Sequence, residues 1–146
     1  MESGIRFAKI WFDSDITELK ITVSNGESVY SNNIYTSLPT LEGIISELKI
    51  FSSHIPDAAG DITLGAFGPE YANGGFRMTL HFGSPGTLFI SSFQQEDFIL
   101  FAKNKVAGEA RFYLKAEPVM LDNFIAELGA LHNGNRNEAF LKCGTL

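Results

Sequence analysis

Basic residues are scarce in this chain: 11 lysines and arginines stand against 17 acidic residues, a net charge of −6. A protein that grips a phosphate backbone needs a cationic stripe to release counterions, so no nucleic-acid partner is expected. Such a charge keeps a small protein soluble and steers it towards basic partners. Cysteine is scarcer still. Cys143 is the one copy, which excludes an internal disulfide and a fold that depends on an oxidising compartment. Apolar runs are short, none near the roughly 18 residues that span a bilayer. Met1-Glu2-Ser3-Gly4-Ile5-Arg6 lacks a basic segment followed by an apolar one. No signal peptide is therefore expected, and the expected compartment is the cytoplasm. His54, His81 and His132 are isolated from one another, with no His-x-x-x-His or Cys/His spacing, so neither a metal nor a cofactor is expected. Tryptophan occurs once, whereas phenylalanine has 13 copies; without a polar atom, Phe reads first as core and second as a binding surface.

What remains is ordinary globular material: 146 residues, 45% hydrophobic and 19% charged, enough for one core without staples. The chain is read as a single α+β domain over 1–146, a mostly antiparallel sheet built of meanders with two amphipathic helices packed on one face. Residues 5–12 read as a strand. Leu19-Lys20-Ile21-Thr22-Val23 alternates with period two, Asn25-Gly26 is a hairpin signal, and residues 28–35 return. Pro39 opens a helix whose Leu41, Ile44, Ile45, Leu48 and Phe51 share one face. Ser37 or Thr40 caps it, and Pro56 with residues 57–60 closes it. Strands are expected over 62–67, 76–82, 88–93 and 110–115, with 98–103 either a strand or a short helix. A second helix starts at Pro118, carries Leu121, Phe124, Ile125, Leu128 and Leu131, and stops at Asn133-Gly134. Ala139 to Leu141 is expected as a short edge strand after a polar loop. The two helical patterns stand 80 residues apart. They mark either a duplicated meander-plus-helix unit or two core helices obeying one rule.

Few residues suggest chemistry. Asp13-Ser14-Asp15-Ile16-Thr17 resembles the D-x-D-x-T nucleophile motif of the haloacid-dehalogenase phosphatases, in which one carboxylate attacks phosphorus and the other moves a proton beside Mg²⁺. The alternating strand that follows is the wrong neighbour for that parallel α/β fold, and an acidic turn explains the same residues. The glycine-rich segment 65–75 lacks Gly-Lys-Ser/Thr and precedes a strand, so it offers no phosphate cradle. Its glycines are expected at positive φ, and Tyr71 and Arg77 beside it are candidate recognition anchors. His81 is expected on an exposed strand face with Arg77 and Thr79, and His132 at a helix C-terminus. Cys143 has no activating neighbour except Lys142.

Two stretches resemble a family of small uncharacterised bacterial proteins: Trp11-Phe12-Asp13-Ser14-Asp15 with Leu19, and Gly65-Ala66-Phe67 followed by Tyr71-Ala72-Asn73-Gly74-Gly75-Phe76-Arg77. That resemblance implies a meander, a helix, more strands and a last helix, and brings no catalytic residues with it. The small acidic format also resembles immunity proteins that neutralise bacterial toxins. The leading expectation is a non-catalytic binding protein for a basic toxin domain, with Asp13, Asp15, Glu18, Tyr71, Arg77, Glu96 and Asp97 as partner-binding residues. Two other readings stand beside it. One is a small hydrolase or ligand-binding domain in which Asp13/Asp15 and Tyr71/Arg77 converge; the other is a structural homo-oligomer, the phenylalanines covering a second copy.

Overall fold

Alternation and helical periodicity between them place nearly every element. The structure, a computed structural model, describes residues 2–53, 59–70, 74–83 and 86–144. Strands β1 (Gly4–Phe12), β2 (Ile16–Ser24) and β3 (Val29–Ser37) form an antiparallel meander leading into helix α1 (Leu38–Ser52). Strands β4 (Ala59–Gly65), β5 (Gly75–Gly83) and β6 (Thr87–Gln95) follow, then a small ribbon of β7 (Ile99–Phe101) and β8 (Asn104–Val106). Strand β9 (Glu109–Ala116), helix α2 (Pro118–His132) and strand β10 (Glu138–Lys142) complete the order. The antiparallel expectation holds, with the strands divided between two four-stranded sheets. Sheet A runs β10-β1-β2-β3 and sheet B runs β4-β5-β6-β9. Segment 98–103 is neither one strand nor a helix; it contributes the first strand and the turn of the β7–β8 ribbon.

Both helices bury the faces their spacing dictates: Leu41, Ile44, Ile45, Leu48 and Phe51 in α1, and Leu121, Phe124, Ile125, Leu128 and Leu131 in α2. Each such side chain contributes about 1.5–3 kcal/mol on leaving water. Ser37 caps α1, its hydroxyl accepting from the Thr40 amide at 3.1 Å. The helix ends at Ser52, so the stop expected at Pro56 lies outside the described residues, as does His54. Asn133 ends α2 and Gly134 takes φ +83°, the left-handed position after a helix.

The order strand-strand-strand-helix-strand occurs twice, and the halves exchange their last strands. Strand β4, which follows α1, pairs with β5 of the second half; β10, which follows α2, pairs with β1 of the first. The buried side chains of both sheets and both helices form one cluster. Phe7 is its hub, meeting Phe76 of sheet B edge-on at 5.5 Å and Phe124 of α2 at 5.4 Å.

Two buried carboxamides join the sheets. Asn32 on β3 donates to the Gly75 and Gln95 carbonyls at 3.1 and 3.0 Å. Gln94 on β6 donates to the Ile21 carbonyl and to Asn32 Oδ1, each at 3.0 Å. These bonds run from β2 and β3 to β5 and β6, satisfying backbone groups that a purely apolar junction would strand.

Candidate surface on sheet A

The inner face of sheet A holds Ile5, Phe7, Leu19, Ile21 and Ile34 against the core; the alternate positions face outward. A β-bulge between Lys9 and Trp11 breaks this alternation in β1. Its extra residue sets Trp11 opposite Glu18, whose neighbours Thr17 and Leu19 are both buried. The bulge thus aims the indole outward, as bulges commonly re-aim side chains. Glu18 in turn pairs with Tyr35 on β3. Trp11, Glu18 and Tyr35 therefore form one cross-strand row on the outer face, a carboxylate between two exposed aromatics, with Trp11 48% exposed.

At the end of this row lies the turn 13–15. Asp13 Oδ1 accepts from the amides of Asp15 and Ile16, both at 2.8 Å. These two hydrogen bonds favour the anion and hold the Asp13 carboxyl below its usual value. The acid that resembled a nucleophile is thus engaged as a turn acceptor. Ile10, Phe12 and Ile16 are exposed around it, and Lys9 Nζ lies 4.9 Å from the Phe12 ring centre.

The next outer positions carry Lys20 and Asn33, partners across β2 and β3. Here the root of the β7–β8 ribbon closes a concavity of about 410 Å³, lined by Lys20, Ser31, Asn32, Asn33, Glu96, Asp97 and Ile99. Glu96 also acts on Tyr30: burial first, then the Glu96 charge, pushes that phenol above its ordinary value. Five of the expected partner residues are thereby placed on or beside the outer side of sheet A: Asp13, Asp15, Glu18, Glu96 and Asp97.

Arg77 is elsewhere. It lies on the outer face of sheet B, in register with Phe93 and, beyond it, Arg111. The Arg77 guanidinium sits 5.2 Å from the Phe67 ring, Phe67 stacks on Phe93 at 5.2 Å, and Arg111 covers Phe93 at 4.2 Å. This ladder fastens the glycine-rich segment to the sheet, each cation–aromatic contact contributing about 0.5–1 kcal/mol at an exposed site. Arg77 therefore does not converge with the Asp13/Asp15 turn, and Tyr71 lies outside the described residues. His81 is exposed on the same face, as expected.

Cys143 is buried, and burial pushes its thiol up to about 12, which removes the thiolate a nucleophile requires. Among the described residues no group of three or more His, Cys, Asp or Glu side chains is arranged to hold a metal, and no helix is long and apolar enough to cross a membrane. Sequence reasoning missed Trp11, Tyr35 and the ribbon. One available signal was Ile10-Trp11-Phe12, three consecutive apolar residues where a half-buried strand should alternate.

No protein-family description and no curated protein matches the chain. Among solved structures, a chain of the CdiA-CT/CdiI toxin and immunity complex from Enterobacter cloacae is similar over 88% of this chain and 99% of that one, at 9% identity and a TM-score of 0.47. A likeness that distant carries no functional weight.

Proposed function

We propose that the protein is a non-catalytic binding domain of the immunity type, which masks a basic toxin domain with the outer side of sheet A. The Trp11–Glu18–Tyr35 row carries this reading. Aromatic anchors dominate the energy of protein interfaces, and carboxylates beside them steer a basic partner and fix its register. The net charge of −6 strengthens that steering. Asp13 fits the same reading, since a carboxylate committed to a turn shapes a surface rather than a reaction.

Protection is the test. Cells making the protein are expected to survive induction of the toxin domain encoded immediately upstream of its gene. Trp11→Ala and Glu18→Lys are each expected to weaken binding by about 2 kcal/mol or more, with the fold retained by circular dichroism. An upstream gene that encodes no toxic domain, or toxicity that the protein leaves untouched, overturns the proposal.

A further inference from the structure

The two halves of the fold serve as controls for each other. Gly4 and Gly75 open equivalent strands 71 residues apart, and so do Ile16 and Thr87; α1 and α2 start 80 residues apart. The nine extra residues lie in one place. In the first half, residues 25–28 join β2 to β3, closed by the Asn25 amide on the Ser28 carbonyl at 3.2 Å. In the second, residues 96–108 join β6 to β9, closed by the matching bond from the Glu96 amide to the Gly108 carbonyl at 2.9 Å. The β7–β8 ribbon is what the second half adds to a turn the first half makes with four residues.

Nothing in the core needs this addition. Every residue from 99 to 106 is exposed, and Leu100 and Phe101 are, at 72% and 66%, the two most exposed large apolar side chains among the described residues. Ordering each backbone residue costs about 1–2 kcal/mol, and an isolated two-stranded ribbon is marginal in water. The ribbon also tolerates a strained tip, since Ala102 takes φ +55° where glycine would be relaxed. Its pairing places Ile99 opposite Val106, so Ile99, Phe101 and Val106 share one apolar side. Ile99 on that side lines the concavity over sheet A together with Glu96 and Asp97. Among the described residues neither carboxylate has an ion-pair partner within 4 Å.

From this we infer that the β7–β8 ribbon is the arm that captures the partner: its apolar side and acidic root receive a segment presenting a lysine or arginine beside apolar side chains. The occupant is the toxin domain, so the inference rests on the immunity reading and deepens it. Charge complementarity selects the basic group, which enters between Glu96, Asp97 and Asn33. Burial against the arm supplies the affinity that the exposed Leu100 and Phe101 cannot gain in the free protein.

Because the first half folds around its short turn, the arm can be removed by design. In the full-length protein, residues 96–108 are replaced by the Asn-Gly-Glu-Ser segment that stands at 25–28; a second variant carries Ile99→Ser with Phe101→Ser. The probe is the purified toxin domain encoded upstream. Both variants are expected to keep the wild-type circular dichroism spectrum and to bind at least about tenfold more weakly. Glu96→Gln with Asp97→Asn is expected to flatten the salt dependence of association. If the replacement does not fold, the serine pair decides. Binding by the folded variants within threefold of wild type overturns the arm and leaves the immunity reading standing. A wild-type protein that does not bind the domain overturns both.

Discussion

Gln94 Nε2 lies 3.0 Å from Asn32 Oδ1, and both side chains are buried where the two sheets meet. Neither amide closes the junction alone: Asn32 reaches the backbone of sheet B, and Gln94 reaches that of sheet A. Asn32→Ala and Gln94→Ala are each expected to cost about 1–3 kcal/mol, because each leaves buried carbonyls without a donor. The double variant should cost less than the sum, since the second loss falls on a network already broken. Urea unfolding of the four proteins measures this, and strict additivity would contradict the coupled pair.

Two glycines should respond oppositely to alanine. Gly43 lies on the exposed side of α1, and a Cβ there meets nothing within 4 Å. Gly43→Ala is therefore expected to stabilise by about 0.5–1 kcal/mol through helix propensity. Gly65 takes φ +70°, and a Cβ would run into the Gly74 carbonyl. Gly65→Ala should destabilise by about 2 kcal/mol or more, read as a lower midpoint of thermal unfolding.

The turn at Asp13 should make stability depend on acid. Its folded carboxyl titrates below the unfolded one, held down by the Asp15 and Ile16 amides. Its contribution is therefore present above the unfolded value, about 3.9, and is lost as the pH falls through the folded value. Asp13→Asn keeps an acceptor oxygen but cannot titrate. Between about pH 5 and 2 its stability should fall less steeply than that of the wild type, as measured by urea midpoints.

Cys143 should be inert in the native state. With its thiol raised to about 12 by burial, a disulfide reagent at pH 8 is expected to label it only at the rate of local or global opening. Labelling should become fast in denaturing urea. Rapid stoichiometric labelling of the folded protein would contradict the buried placement.

The helices were legible because a period of 3.6 residues leaves ten apolar positions little choice, and all ten are buried. The turn role of Asp13 was legible too, from the alternating strand behind it. The row of Trp11, Glu18 and Tyr35 was not, because it depends on a bulge that shifts one side chain across the sheet. Segment 98–103 was ambiguous for a related reason: Ile99, Leu100 and Phe101 form an unbroken apolar run, and a ribbon exposed on both sides leaves neither a 2.0 nor a 3.6 period. Arg77 was expected beside the Gly-rich segment and is there, but the stack through Phe67 and Phe93 depends on a cross-strand register with no local mark.

The exchange of β4 and β10 between the halves sets a timetable for synthesis. Gly4 is among the first residues to leave a ribosome and Lys142 among the last, yet the two are paired. At ordinary translation rates, roughly ten seconds or more separate them. Throughout that interval β1 waits with an open edge, its Ile5 and Phe7 still without the β10 residues they will oppose. Slow stretches of translation, or a nascent-chain chaperone, should therefore affect the yield of this protein more than that of a domain whose sheets close as they emerge.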